Sequence, residues 1–596
     1  MRPLPDSGER RGAGPLVKVG ANDERRGRRG PLMGGCVPSA YVGAIVTVTR
    51  EKGITMNKIT KMDRRSFVAG TAAMGALAAA GVAGAAVADE APAVEWADEA
   101  DVVIVGTGCA GMSAALTMAI EGLGSCLVLE VAPRELRGGN SGSTAGIVFS
   151  PDSVDAAIEY QNALSGAYAC DEETMQVWAE NLLENIPWMT EHLGCEFKRN
   201  EQGTWGIQGE YPFMPRAQEC PSYNVTEGTT WQVLAGKYDE LEIPTYYETR
   251  AVRLITNEAG EVVGVETEDG RSFKANKAVL LASGGFEANP EMMKTYLPAG
   301  YPDVIGKGSW YNRGDGIKMA QALGAELSHM SNVSGAALGL KMMATDDVDS
   351  RTWTRWHTHG YIWVDSRGRR FQDEDVLYTE LLRHGKQYRA GTFTESSMPA
   401  GAWAIFTQEE FDGGCIFSTS CFAAMKAVDG RFTENQEALD AGVIVKCDTI
   451  DDLATATGID AAQLQKTIDR YNGMVAAGED TDFGRGLAKN EYSEPMNWEG
   501  NEEDVEGRAA FDLVAIEAPY YCVQLVGTLL NTQGGPKRSA NCEVIDVFGQ
   551  PIPRLYSAGE MGCEYHYIYN VGGNIAEAIS SGRLAARIMS ALEPVA

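Results

Sequence analysis

The chain has 596 residues, enough for roughly two to four domains, and its 44% hydrophobic and 22% charged residues are ordinary for a globular protein. The formal net charge of −31 excludes a surface built for nucleic acid, because a polyanion repels phosphates. The 12 cysteines contain no CxxC or CxxCH spacing, so attached c-type haem is excluded and no iron–sulfur cluster or other metal site is expected.

The first 88 residues predict targeting rather than fold. The run Asp63-Arg64-Arg65-Ser66-Phe67-Val68 precedes an uncharged Ala/Gly-rich stretch, which is typical of a twin-arginine export signal over 56–88. Small residues at 86–88 offer a cleavage site. The alternative is a permanent membrane anchor, but a stretch so rich in Ala and Gly is only weakly hydrophobic. Residues 1–55 are expected to be disordered or an over-extended start. We therefore expect the mature protein in the periplasm or cell envelope.

Residues 101–111 predict a strand, a glycine turn and a helix that together bind a dinucleotide. The turn reads Gly106-Thr-Gly108-Cys-Ala110-Gly111, and the helix continues to about Glu121. Gly106 permits the tight turn, Gly108 lets the backbone approach a pyrophosphate, and Gly111 lets the helix pack close to the strand. The helix N-terminus then supplies amides and a positive dipole to the phosphates.

Glu130 completes this βαβ unit. It follows a second predicted strand over 125–129 and lies 19 residues after Gly111, where a carboxylate can accept hydrogen bonds from ribose hydroxyls. An ordinary glycine turn, the structural alternative, does not explain an acid at this place. The unit therefore predicts dinucleotide binding.

The rest of the chain predicts an α/β protein whose nucleotide-binding domain is discontinuous in sequence. Helices are expected over 151–165 and 171–193, strands alternate over 243–283, and a helix follows Gly314 and ends at Leu323. Residues 331–530 are irregular and aromatic-rich, with a helix near 459–476. We predict that they form an inserted α+β capping domain between two Rossmann-like segments, 97–330 and 531–596. The second of these segments is expected to end in a helix over 574–592.

Several further motifs follow the glycine turn: Gly139-Asn140-Ser141, Leu281-Ala-Ser-Gly-Gly-Phe286, Gly314-Asp315-Gly316, the run Tyr361–Asp375, Ala558-Gly559-Glu560 and Gly572-Gly573-Asn574. Together they resemble FAD-dependent oxidoreductases of the fumarate reductase/succinate dehydrogenase flavoprotein type, which include 3-ketosteroid dehydrogenases and urocanate reductase. The resemblance covers about residues 97–596. It implies FAD as the cofactor and an FAD-binding role for the discontinuous domain.

The resemblance also implies which residues contact FAD. Asn140, Ser141, Ala145 and Gly146 would flank the flavin, and the backbone of Ala251 would meet the adenine. Further cofactor contacts would come from Asp315, Glu560, Asn574 and Ile575, in addition to Gly106, Gly108, Ala110, Gly111 and Glu130. The last helix, beginning at Gly573, would place its positive end beside the flavin, where negative charge on the reduced ring is stabilised.

The departures from the family pattern concern substrate. Where fumarate reductases have a proton-donating arginine, counting from Arg370 places Tyr378 here. Other arginine and histidine positions of the family fall on Asn570, Asn531 and His357 and near Ala336, and the family's relay acid falls on Thr354. A dicarboxylate would be bound poorly without those cations, because a desolvated carboxylate needs a paired charge. The pattern therefore argues against fumarate as the substrate.

The residues expected around the substrate are neutral or aromatic instead, and several of them are tyrosines. We predict Tyr378, Tyr567 and Tyr569 as catalytic and Gly573, Asn531, Asn570 and His357 as substrate-binding, since a phenol can polarise a conjugated carbonyl and transfer a proton. Each tyrosine could also be a packing residue. The predicted reaction moves a hydride between flavin and an activated C=C bond of a neutral or aromatic, carbonyl-conjugated substrate, with reduction favoured. The alternatives are an oxidative 3-ketosteroid dehydrogenase and a non-catalytic flavin-binding protein.

The expected partners follow from what the sequence does not contain. There is no haem motif and no second glycine fingerprint for NAD(P)H, so a separate electron-carrier protein, cytochrome or quinol-linked, is expected. A small-molecule substrate is expected, and neither nucleic acid nor a stable membrane span after signal cleavage.

Overall fold

The computed structural model describes residues 94–144, 146–200, 214–297, 305–306, 308–334, 337–344, 349–353, 356–372, 374, 386–389, 392–395, 400–417, 432–485, 513–563, 567–570 and 572–595. The predicted export signal, Ala145, Ala336, Thr354 and Tyr378 lie outside these residues. Among the described residues, no helix has the length and apolar character needed to cross a membrane.

The helices of the described chain are α1 (Cys109–Glu121), α2 (Val154–Ser165), α3 (Glu172–Leu183), α4 (Asn185–Leu193), α5 (Thr230–Glu240), α6 (Pro290–Tyr296), α7 (Asp315–Ala322), α8 (Gln408–Gly413), α9 (Asn435–Asp440), α10 (Ile450–Thr457), α11 (Ala461–Ala477) and α12 (Gly573–Ser590).

The strands are β1 (Trp96–Val105), β2 (Cys126–Leu129), β3 (Val148–Phe149), β4 (Phe197–Arg199), β5 (Ser222–Val225), β6 (Thr245–Tyr246), β7 (Ala251–Thr256), β8 (Val262–Thr267), β9 (Ser272–Leu281), β10 (Ile305–Gly306), β11 (Leu327–Ser328), β12 (Val333–Ser334), β13 (Ala337–Ala344), β14 (Asp349–Trp353), β15 (Tyr361–Val364), β16 (Lys386–Arg389), β17 (Thr392–Glu395), β18 (Ala402–Phe406), β19 (Val445–Cys447), β20 (Tyr520–Leu529), β21 (Asn531–Thr532), β22 (Gly535–Pro536), β23 (Glu543–Ile545) and β24 (Pro551–Ser557).

The first sheet is built around parallel strands from both ends of the described chain. Its order is β23-β24-β9-β1-β2-β6. In addition, β8 pairs with β9 on one side and with β7 on the other. The pairs β24–β9, β9–β1, β1–β2 and β2–β6 are parallel, whereas β23–β24 is antiparallel. Val102–Val105 are buried, as expected for a central parallel strand covered on both faces. The predicted α/β class with a discontinuous Rossmann-like unit is confirmed.

Helices α1 and α12 cover one face of this sheet and pack closely against each other. A Cβ atom placed on Gly582 of α12 would lie 2.3 Å from the carbonyl oxygen of Ala110, so only glycine fits this crossing. The contact places the N-terminal end of α1 against the middle of α12. The first and last segments of the nucleotide fold therefore build one site.

The second sheet consists of strands between residues 305 and 529. Its order is β14-β13-β20-β18-β15, with β10 and β19 also paired to β20, and all its pairs except β10–β20 are antiparallel. An apolar cluster that includes Ile362, Leu453 and Ile468 packs α10 and α11 on this sheet. This mixture of antiparallel strands and helices is the α+β arrangement that the sequence predicted for the inserted segment.

Candidate active site

A long cavity lies at the carboxyl ends of β1, β2, β9 and β24, the edge at which parallel α/β sheets bind ligands. It encloses about 1630 Å³, part of which is open to solvent. Its lining comes from four remote parts of the chain: residues 105–147, 249–251, 282–315 and 530–578. The predicted residues that line it are Gly106, Gly108, Ala110, Glu130, Asn140, Ser141, Ala251, Asp315, Asn531, Glu560, Tyr569, Asn574 and Ile575.

The glycine turn has the geometry of a phosphate-binding loop. Gly106 has φ of +110°, and a Cβ there would lie 2.5 Å from the carbonyl oxygen of Ala282. Gly111 lies under the turn rather than in the cavity lining, and its Cβ would lie 2.0 Å from the carbonyl oxygen of Gly106. The N-terminal end of α1 consequently faces the cavity with backbone amides and a positive dipole.

Glu130 lines the cavity, and both oxygens of its carboxylate accept hydrogen bonds. Its Oε2 accepts hydrogen bonds from the backbone and hydroxyl of Thr107, the backbone bond measuring 2.9 Å, and its Oε1 accepts one from Ala132 N at 2.8 Å. The Thr249 amide donates to the Glu130 carbonyl at 2.8 Å, which brings residues 249–251 to the same end of the cavity. This is the end at which the resemblance expects the adenosine.

Arg250 is a cavity residue that sequence reasoning missed. Its Nε and Nη2 donate to the two carboxylate oxygens of Asp315 at 2.8 and 2.9 Å. Hydrogen bonds from Asp315 raise the pKa of Arg250 above its ordinary value, so this guanidinium stays charged. Its position immediately before Ala251, a predicted cofactor contact, could have indicated it. The pairing with Asp315 could not be read from the sequence, because the two residues are 65 positions apart.

The opposite end of the cavity is formed by the N-terminus of α12. Asn574 donates to Asn531 Oδ1 at 2.9 Å and accepts from Gln533 Nε2 at 3.1 Å. The hydroxyl of Tyr569 accepts a hydrogen bond from the Gly572 amide at 2.9 Å. A phenol and two carboxamides therefore face the space beside a helix N-terminus.

Other predicted residues lie outside the cavity lining. Tyr567 stacks on Tyr168 with ring centroids 4.3 Å apart. Asn570 is buried and donates to Gln161 Oε1 at 2.7 Å, and the His357 ring lies 3.1 Å from the carbonyl oxygen of Cys415. Asn570 and His357 thus make hydrogen bonds within the fold, and their substrate-binding roles remain predictions.

The remaining predicted residues, Gly146 and Gly573, also stand outside the lining. The Gly146 carbonyl accepts a hydrogen bond from the Thr230 hydroxyl, and the Gly573 amide donates to the Asn570 carbonyl at 2.8 Å. Both are adjacent in sequence to lining residues, so their predicted roles remain predictions. Among the described residues, no group of three or more His, Cys, Asp or Glu side chains is placed to hold a metal ion.

Two carboxyl groups, of the buried Glu287 and the half-buried Glu560, meet beside the cavity. Asn140 Nδ2 lies 2.7 Å from Glu287 Oε1 and 3.2 Å from Glu560 Oε2, so one amide bridges both side chains. Burial raises the pKa of both groups, and the negative charge of Glu287 raises the pKa of Glu560 further. Sequence reasoning found Glu560 and Asn140 but missed Glu287.

These residues fit a long dinucleotide. A helix N-terminus lies beside each of two segments of the cavity, a carboxylate is placed for a ribose, and glycines at 106 and 111 allow the tight turn and the close packing of α1 beneath it. The fold and cavity define a dinucleotide-dependent oxidoreductase. The FAD binding domain family model matches residues 101–575, and the chain belongs to this family.

Comparison with known proteins agrees with that class. The chain is 28% identical to the 3-oxosteroid 1-dehydrogenase of Mycolicibacterium smegmatis, over 82% of this chain and 96% of the relative. It is 27% identical to the digoxin reductase of Eggerthella lenta, over 89% of this chain and 98% of the relative. The open form of a flavocytochrome c3 fumarate reductase has the same fold, with a TM-score of 0.57 and 23% identity over 87% of this chain and 80% of that structure.

The predicted family, cofactor and enzyme class are thereby confirmed. The protein is an FAD-dependent oxidoreductase that acts on CH–CH groups. This result removes the non-catalytic flavin-binding protein as an alternative. The direction of the reaction, the substrate and the proton donor are matters of proposal.

Proposed function

We propose that the protein is an exported enzyme that reduces an activated C=C bond of a neutral or aromatic, carbonyl-conjugated substrate, with a tyrosine as proton donor. The observation that carries this proposal is the composition of the cavity beside α12. Among the lining residues that the structure describes, the one guanidinium is Arg250, and it is paired with Asp315 next to the Glu130 end. The α12 end presents Tyr569, Asn531 and Asn574 instead, which suit a carbonyl better than a carboxylate.

Once bound and reduced by the electron carrier, FAD would supply the hydride in this reaction. Tyr569 is proposed to donate a hydrogen bond to the substrate carbonyl. The Gly572 amide, at the N-terminal end of α12, donates to the same phenol oxygen and so stabilises the negative charge that grows there during donation. Tyr378, aligned with the family's proton donor, is proposed to deliver the proton to carbon, and Tyr567 to support the pocket wall by stacking on Tyr168.

Oxidative desaturation of a 3-oxosteroid is the second candidate. One relative is named as a dehydrogenase and another as a reductase, and the chain covers nearly the whole length of each. Microscopic reversibility lets the same phenols remove a proton in the oxidative direction. We favour reduction because the sequence offers no motif for a second nucleotide acceptor, and a separate electron-carrier protein is proposed as the source of electrons.

A substrate screen separates the two directions. Photoreduced holoenzyme is mixed anaerobically with enones, cinnamates and steroids, and the return of the oxidised flavin spectrum is followed. In parallel, oxidised holoenzyme is mixed with saturated 3-oxosteroids, and bleaching is followed. Fast reoxidation by an unsaturated carbonyl compound supports the proposal, whereas bleaching by saturated steroids without reoxidation by enones supports the dehydrogenase.

Replacing either proposed phenol should reduce turnover while leaving the flavin bound. We expect Tyr378→Phe to lower kcat by about two orders of magnitude or more, because a general acid is lost. Tyr569→Phe should lower kcat/KM by a similar factor, because its hydrogen bond to the carbonyl strengthens in the transition state. Single-turnover reoxidation measures both, and Tyr168→Phe, which keeps the stacked ring, is the control. Unchanged rates for both variants would contradict the proton-donor proposal.

Export is tested separately from chemistry. Replacing Arg64 and Arg65 by lysine should keep the protein in the cytoplasm, because the twin-arginine route requires that pair. Fractionation of cells that express the full chain, with detection of the protein in each compartment, gives the result. Equal export of the wild-type chain and the Lys-Lys variant would contradict the proposed route without touching the proposed reaction.

A further inference from the structure

The pair formed by Glu287 and Glu560 joins three of the four remote segments that line the cofactor cavity. Glu287 follows the glycine pair after β9, Glu560 follows β24, and Asn140, whose amide bridges them, lies in the loop after β2. Thr532, from the same segment as Glu560, donates its hydroxyl to Glu287 Oε2 at 3.0 Å. Glu560 lines the cavity, whereas Glu287 lies behind it.

The two carboxyl groups are close enough to repel strongly. A Cβ placed on Gly285 would lie 2.7 Å from Glu287 Oε2 and 2.7 Å from Glu560 Oε1, so these oxygens are at most 5.4 Å apart. Glu287 is 4% exposed, Glu560 is half-buried at the cavity wall, and the loss of water around both carboxyl groups raises their pKa values. Two negative charges at such a distance in a buried site disfavour joint ionisation.

The hydrogen bonds show which carboxyl keeps the negative charge. Glu287 accepts from Asn140 and Asn312 amides at 2.7 Å each and from the Thr532 hydroxyl. Glu560 receives longer bonds from Asn140, at 3.2 and 3.4 Å, and a further hydrogen bond from the Asn531 side chain. Short bonds from several donors stabilise a carboxylate, so Glu287 is the ionised member of the pair.

Within the part of the chain that the structure describes, no cation acts on Glu560 to offset a second charge. Asn140, Asn312, Asn531 and Thr532 are neutral, and the charged group that acts on Glu560 is Glu287. The nearby thiol of Cys563 is also buried, and burial raises its pKa well above the ordinary value, so it stays neutral.

We propose that Glu560 is a neutral carboxylic acid that donates a hydrogen bond into the FAD cavity, and that Glu287 is the positioning residue that keeps the proton on it. A neutral donor at this place suits a cofactor that carries a negatively charged pyrophosphate. Binding of FAD is then coupled to one proton. As the pH rises through the raised pKa of Glu560, the pair gains a second negative charge and the cavity releases FAD more readily.

FAD release from the holoenzyme tests this coupling without an activity assay. Free FAD is more fluorescent than bound FAD, so its release after dilution can be followed from about pH 5 to about pH 9. For the wild-type holoenzyme we expect the release rate to rise with pH, approaching about tenfold per pH unit in the limit of one coupled proton. For Glu560→Gln, which keeps a neutral donor, we expect release that is independent of pH and within a few-fold of the acid-limb wild-type rate.

Glu287→Gln distinguishes positioning from mere packing. Without the negative charge of Glu287 the pKa of Glu560 falls, so the rise in release should begin at a lower pH than in the wild type. A purely structural role would speed release equally at all pH values and leave the inflection in place. Glu240→Gln, an exposed residue of α5, is the control and should reproduce the wild-type profile.

Infrared spectroscopy of the holoenzyme reads the proton directly. We expect the wild-type protein at neutral pH to show a carbonyl stretching band of a buried carboxylic acid, and Glu560→Gln to lack it. A flat release profile in the wild type, or equal bands in the wild type and Glu560→Gln, would overturn the proposal. This measurement needs only Glu560→Gln, so it decides the matter even where Glu287→Gln does not fold.

Discussion

Replacing Gly111 by alanine is expected to leave the protein unable to retain FAD. A Cβ at this position would lie 2.0 Å from the carbonyl oxygen of Gly106 and 3.1 Å from its carbonyl carbon. These are backbone atoms and cannot rotate away, so α1 must move off the sheet and withdraw its N-terminal amides from the phosphates. We expect FAD binding to weaken by more than about hundredfold, equivalent to about 2.8 kcal/mol. The flavin-to-protein absorbance ratio after gel filtration measures the loss.

Gly236→Ala is the matched control for this substitution. Gly236 lies inside α5, is exposed, and has no neighbouring atom within 4 Å of an added Cβ. Alanine there should leave the flavin content unchanged and stabilise the helix by about 0.5–1 kcal/mol. If Gly111→Ala retained FAD as well as Gly236→Ala does, the close approach of α1 to the turn would not be needed for binding.

The segments with local signals were predictable from sequence. The helix expected to end at Glu121 does end there, and the predicted strand 101–105 lies within β1. The final helix was expected over 574–592 and is found at Gly573–Ser590. In each case the glycine turn or the run of apolar and small residues is itself the cause of the structure, so reading it is enough.

The helix and strand boundaries were predicted wrongly where a single residue or a partner distant in sequence determines the backbone conformation. The helix expected over 171–193 is two helices, α3 and α4, separated at Glu184. Pro187, in the first turn of α4, lacks the amide that a continuous helix would need for its bond to Leu183. Within the segment 243–283, where alternating strands were expected, residues 272–281 form the single long strand β9, because pairing with β1 carries the backbone through all of them.

The same distinction divides the residues of the site. The glycines and Glu130 belong to one local motif, and their position relative to each other is set within about 25 residues. Arg250 pairs with Asp315, and Glu287 meets Glu560 across 273 positions of sequence, that is 560 − 287. No periodicity or spacing connects such residues, because their proximity is created by contacts between remote elements, and for Glu287 and Glu560 that contact is the pairing of β24 with β9.

Replacing Glu374 by glutamine is expected to cause the largest loss of stability in the second sheet region. Glu374 is fully buried and accepts from Arg370 Nε and Nη2 at 2.8 and 2.6 Å, and from the Trp363 amide at 3.1 Å. Arg485, also buried, lies 3.6 Å from the same carboxylate, and Asp480 accepts from Arg370 at 2.8 Å. The four side chains thus form a balanced set of two cations and two anions.

Glutamine removes one anion and leaves two buried guanidinium groups facing one carboxylate. A buried ion pair that loses one partner costs about 3–5 kcal/mol, because the other charge remains desolvated. That is a large share of the roughly 5–15 kcal/mol that stabilises a typical protein. Thermal and denaturant unfolding of the holoenzyme, at one fixed concentration of free FAD, measures the change, since bound cofactor adds its own stabilisation.

Asp482→Asn is the comparison that isolates burial as the cause. Asp482 accepts two hydrogen bonds from Arg470 in the same forked geometry, one from Nε at 2.8 Å, but the Arg470 side chain is 61% exposed. Solvent screens this pair, so its loss should change the unfolding midpoint little. We expect Glu374→Gln to have a clearly lower unfolding midpoint than Asp482→Asn. Equal midpoints would mean that water or a rearranged neighbour reaches Glu374, and that the buried charge set contributes no more than a surface ion pair.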